Sequence, residues 1–69
     1  MRFVRLISVT SNNNNKYYNM QQTSSSQFEV EYGRVGITVV KRYYHIDQWY
    51  TKYNEKIKKG YIDVTEINT

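Results

Sequence analysis

Cysteine is absent from this chain, so no disulfide can staple it and no thiolate can hold zinc. That absence fits a reducing compartment. Histidine occurs once, at His45. It sits at the expected junction of a strand and a helix, where a lone imidazole reads as a surface or capping residue rather than a general base. With one histidine and scattered carboxylates, no metal-ligand set is recognisable. No apolar run approaches the roughly 20 residues that span a bilayer. The first residues, Met1-Arg2-Phe3-Val4-Arg5-Leu6, lack the long apolar core of a signal peptide. These absences set the expectations: no enzyme activity, no cofactor, no metal, no membrane partner. The expected location is intracellular, cytoplasmic or, in a eukaryote, nuclear.

The 69 residues form one expected domain, residues 1–69. A chain this short buries only about 60% of the surface it exposes when unfolded, so its core is marginal. Eight tyrosines with Trp49, Phe3 and Phe28 are the candidates to fill it, since aromatic side chains bury a large area each. Net charge is +4 and unevenly placed. Between Tyr32 and Tyr61 seven basic residues (Arg34, Lys41, Arg42, Lys52, Lys56, Lys58, Lys59) face two acids, Asp47 and Glu55. The excess therefore lies in the second half. A basic balance favours polyanionic partners, nucleic acid first.

Arg2 to Thr10 carries Phe3, Val4, Leu6, Ile7 and Val9 and reads as a first strand. Ser11 to Asn15 is a polar turn whose side chains bond their own backbone. Lys16 to Gln22 reads as a second strand with Tyr18 and Met20 on one side. Gln27 to Tyr32 alternates apolar Phe28, Val30 and Tyr32 with polar partners, the pattern of a half-buried third strand. Ile37 to Tyr44 is a fourth. Short polar loops between successive strands imply antiparallel hairpins. The period then changes. Ile46, Trp49, Tyr50, Tyr53 and Ile57 are spaced by three and four, the apolar stripe of a helix. Asp47 is placed to cap its start, and Gly60 suits the left-handed position that ends it. Tyr61, Ile62 and Val64 return as a short last strand. The expected fold is α+β: an antiparallel sheet of four to five strands with one α-helix packed on one face.

Chemistry concentrates in Tyr32-Gly33-Arg34-Val35-Gly36. The two glycines permit a bulge or tight turn and leave the backbone open to close approach. If the extended path continues through Gly33, Arg34 points to the side that Tyr32 occupies. A ring and a guanidinium together suit a sugar-phosphate group. The segment has neither the lysine nor the Ser/Thr of a phosphate-binding loop. Asn15-Lys16-Tyr17-Tyr18 is a hairpin turn entering a strand that could also offer donors to phosphate. Lys52, Lys56 and Lys59 read as a solvated ridge on the side of the helix opposite Trp49 and Tyr53.

Together the segments Asn13-Asn14-Asn15-Lys16-Tyr17-Tyr18, Phe28 to Val30, Tyr32-Gly33-Arg34-Val35-Gly36 and Trp49 to Gly60-Tyr61 resemble the WGR domain. That domain is named for a Trp-Gly-Arg tripeptide. It occurs beside the catalytic part of DNA-dependent poly(ADP-ribose) polymerases and in many bacterial proteins. The resemblance covers almost the whole chain in order. It implies an antiparallel sheet with one helix, and binding of DNA backbone at ends or nicks without base specificity. Tyr32 stands in the tryptophan slot, Gly33 and Arg34 keep theirs, and Asn15 and Lys16 match the turn. The tyrosine is the departure: it keeps a stacking face but is smaller. No catalytic domain accompanies the motif, so ADP-ribosylation is not implied. The expected nucleic-acid residues are Asn15, Lys16, Tyr32, Gly33 and Arg34, with Lys41 and Arg42 adding diffuse attraction. The competing reading is a protein-interaction module that docks a partner domain, or a second copy of itself, on the same Tyr32/Arg34 surface. Arg34 paired to Glu29 or Glu31 in a flat apolar patch would favour it; an open basic groove would favour DNA.

Overall fold

Alternation and turn chemistry divide the described residues into five strands and one helix. The computed structural model describes residues 1–9 and 15–66, with Thr38 described by its backbone alone. The strands are β1 (Phe3–Ser8), β2 (Lys16–Gln22), β3 (Gln27–Arg34), β4 (Thr38–His45) and β5 (Ile62–Asp63). They form one antiparallel sheet in the order β4-β3-β2-β1-β5. A short 3-10 turn, Ile46–Gln48, leads into α1, Trp49–Lys58. The α+β architecture expected from the sequence is the architecture found. Thr10 and the turn residues up to Asn14, including Asn13 and Asn14 of the motif, lie outside the described residues.

Side chains alternate across a strand, so the register fixes two faces. Leu6, Tyr18, Met20, Phe28 and Val30 occupy one face and are buried. Trp49 of α1 closes the cluster, with 3% of its surface exposed. Its ring meets Phe28 edge to face, centroids 5.0 Å apart and planes at 70°. Each fully buried apolar side chain contributes about 1.5–3 kcal/mol. With so few of them, loss of one anchor is a large fraction of the total.

Gly33 does not turn the chain. It sits inside β3, opposite Tyr17 on one side and Val39 on the other. The turn comes later, closed by the Ile37 N–H donating to the Arg34 carbonyl at 3.1 Å. Gly36 holds its third position with φ of 83°, a conformation that favours glycine. The strand thus carries Arg34 onto the face that Tyr32 occupies.

The helix start also differs from expectation. His45, not Asp47, makes the cap: its Nδ1 accepts from the Asp47 N–H at 3.1 Å. The inserted 3-10 turn moves the start of α1 past Asp47, so its carboxylate caps nothing there. Asp47 Oδ2 stands 3.3 Å from the same Nδ1. That nitrogen cannot accept from the N–H and donate to the carboxylate at once. Among the described residues no helix is long and apolar enough to cross a membrane.

Candidate nucleic-acid interface

The register of β2 and β3 builds the site. Lys16 pairs with Arg34 and Tyr18 with Tyr32, so all four share the helix-covered face. Tyr32 stacks on Tyr18 with centroids 5.8 Å apart and planes at 30°. Tyr18 is buried, Tyr32 half-buried and Arg34 exposed. Burial, then the neighbouring Tyr44 and Glu55, push the Tyr18 phenol well above its ordinary range, so it stays neutral. Among the described residues the ion pair is Lys41–Glu29, and His45 Nδ1 lies near the Asp47 carboxylate; Arg34 is in neither contact. Glu29 and Glu31 fall one residue out of phase with Arg34 and project from the opposite face.

The end of α1 supplies the other wall. The Gly60 N–H donates to the Ile57 carbonyl at 3.0 Å, and the Tyr61 N–H to the Lys56 carbonyl at 3.0 Å. With Gly60 at φ of 101°, this is a Schellman stop. It folds Tyr61 back beside Lys56. The Lys56 ammonium lies 4.7 Å from the Tyr18 ring centroid and 5.6 Å from that of Tyr61. Burial, then the charge of Lys59, lower the Lys56 pKa, and Glu55 opposes this in part. Tyr61 is pushed up by burial and remains a hydroxyl donor.

Between these walls lies a cavity of about 750 Å³. The sheet contributes Lys16, Tyr32, Gly33 and Arg34, and the helix end contributes Lys56, Lys59 and Tyr61. Among the described residues no carboxylate lines it. Four cations and two aromatic rings thus surround one concavity. Crowded cations gain when an anion arrives, and a half-buried ammonium gains more than an exposed one.

Four of the seven residues singled out in the sequence therefore meet: Lys16, Tyr32, Gly33 and Arg34. Asn15 adjoins them, its carbonyl accepting from the Val35 N–H at 2.9 Å. Lys41 does not join them. It projects from the other face of the sheet, where its ammonium stands 3.7 Å from Glu29. Arg42 shares the face of Arg34 but lies opposite Val30, and its guanidinium donates to the Lys41 carbonyl at 3.2 Å. Neither lines the cavity.

The helix lysines correct the solvated-ridge reading. Lys52 lies 4.5 Å from the Tyr44 ring centroid and Lys56 over Tyr18, so both flank the sheet-facing side. The reason is helical arithmetic. Lys52 and Lys56 are three and seven residues after Trp49, which places them beside it on one face. Their ammonium heads lie over those rings, a cation–π placement. Tyr50 and Ile57, expected in the apolar stripe, are exposed instead.

A scan of family models, a search of curated proteins and a search of solved structures each returned no match to this chain.

Proposed function

We propose that this chain is a non-catalytic, WGR-like module that binds nucleic acid through the phosphate backbone, at DNA ends or nicks, without base specificity. The observation that carries the reading is the convergence of Lys16 and Arg34 with Tyr32 in a cavity that no described carboxylate lines. Arg34 is exposed and unpaired among the described residues, as a phosphate ligand requires. The arrangement supports the DNA reading over the protein-docking one, because Glu29 and Glu31 lie on the other face of the sheet. Contacts of this kind set position on the backbone and carry no sequence information.

The test is a titration of labelled nicked duplex at two salt concentrations. Neutralising two phosphates gives a slope of log affinity against log salt of about −2, so affinity falls about tenfold between 50 and 200 mM salt. The expected result is a slope at least that steep and equal affinity for unrelated sequences. Absence of binding at the lower salt overturns the proposal, as does a strong preference for one sequence.

A further inference from the structure

The cavity has more positive charge than a single backbone phosphate can use. Arg34, Lys16 and Lys59 are exposed, whereas Lys56 is half-buried above the Tyr18 ring. The cations therefore lie at different depths. An internal phosphodiester carries one charge and is tethered on both sides, so it is suited to the exposed rim. A terminal phosphate carries about −1.5 to −2 at pH 7, and a polyphosphate chain carries more and has a free end. Such an end can enter a concavity of about 750 Å³, a size within the range that takes small ligands.

We infer that the cavity takes a nucleoside 5′-triphosphate group, with the phosphate chain held by Arg34, Lys16 and Lys59 at the exposed rim and by Lys56 at depth, and the nucleoside against Tyr32. The proposal deepens the nucleic-acid reading of this cavity and rests on it. Lys56 is the residue that makes the difference. Its ammonium is partly stripped of water and feels the charges of Lys59, Lys52 and Lys16, which Glu55 offsets only in part. An anion that reaches it relieves that crowding; an anion held at the rim does not. The Tyr61 hydroxyl is kept protonated by burial and adds a neutral donor at the same wall. The chemistry has two natural sources, a free nucleotide or the 5′-triphosphorylated end of an RNA.

Calorimetric titration of the whole chain, without divalent cations, tests it. The probes are ATP, AMP and inorganic tripolyphosphate, with one RNA oligonucleotide bearing either a 5′-triphosphate or a 5′-hydroxyl. ATP should bind about tenfold or more tightly than AMP, since each further charge-assisted contact is worth about that factor. It should also bind more tightly than tripolyphosphate. Tighter binding of the triphosphorylated RNA than of its hydroxyl form, with ATP weak, would assign the group to an RNA end; the converse would assign it to the free nucleotide. Lys56→Met and Lys59→Gln should each abolish most of the ATP-over-AMP preference. A circular-dichroism melt confirms that each variant is folded, and Lys59→Gln alters an exposed side chain should Lys56→Met fail to fold. Equal affinity for ATP and AMP overturns the proposal even where nicked duplex binds. Binding of ATP with no duplex binding leaves the triphosphate site standing and removes the DNA reading.

Discussion

Replacing Trp49 by alanine should bring the whole domain close to unfolding. The indole is 97% removed from solvent and is the one buried residue of the helix. An aromatic side chain buries about 150–250 Å², which at ~25 cal/mol per Å² corresponds to roughly 4–6 kcal/mol. The denatured chain already hides part of that area, which lowers the figure by about 10–40%. The edge-to-face contact with Phe28 adds roughly 0.5–1.5 kcal/mol. The sum is about 3–7 kcal/mol, and large-to-small aromatic substitutions in cores put the expected loss in its lower part, about 3–5 kcal/mol. A chain of 69 residues has only about 3–10 kcal/mol of stability in total. Urea denaturation followed by far-ultraviolet circular dichroism measures the change. Trp49→Phe, which keeps a ring against Phe28, should cost only about 1–2 kcal/mol and gives a folded reference. A loss below about 1 kcal/mol for Trp49→Ala would show that the indole does not hold the helix on the sheet.

Three other outcomes follow from single residues. Gly60→Ala should cost about 1–2 kcal/mol in a thermal melt, because φ is +101° while nothing stands within 4 Å of an added methyl; Gly60→Asn should cost less, and equal melting of all three would refute the left-handed stop. Asp63 accepts from Thr65 and from the Tyr53 hydroxyl, which hold its carboxyl below the ordinary 3.8. A depressed folded pKa means this stabilisation is present above the unfolded value and is lost as pH falls through the folded one, so acidification below about pH 4 should weaken the fold. The carboxylate is exposed and screened, so the effect should stay under about 1 kcal/mol and be missing from Asp63→Asn; identical acid profiles would contradict it. Lys56→Met should leave stability in urea within about 1 kcal/mol, because the thioether keeps the contact with Tyr18 and a crowded charge is removed. A loss above about 2 kcal/mol would make Lys56 structural.

The sheet was legible because its signals are local. Phe28, Val30 and Tyr32 alternate with polar residues, and that two-residue period alone places Arg34 on the Tyr32 side once the strand runs on through Gly33. Gly60 was legible for the same reason, since a left-handed stop needs a residue without a side chain. Half of the site was not, for two physical causes. Lys41 and Arg42 are near Arg34 in sequence, but Lys41 points to the opposite face beside Glu29, and Arg42, on the face of Arg34, lies farther along the sheet opposite Val30. Lys56 and Lys59 are far from Arg34 in sequence and reach it only because the helix lies across the sheet and stops at Gly60. The signal for Lys56 was present, seven residues after Trp49, but lysine counted as polar was assigned to solvent. The Asp47 cap failed because sequence spacing does not reveal an intervening 3-10 turn.

The central claim is that Arg34 grips a phosphate, and one comparison tests it directly. Nicked-duplex affinity is measured for Arg34→Ala beside Lys58→Ala, an exposed cation of the same charge outside the cavity. Arg34→Ala should weaken binding about tenfold or more and reduce the salt slope by about one, with Lys58→Ala within about threefold of the parent. Equal losses for the two variants would mean diffuse charge attraction and no site at Arg34.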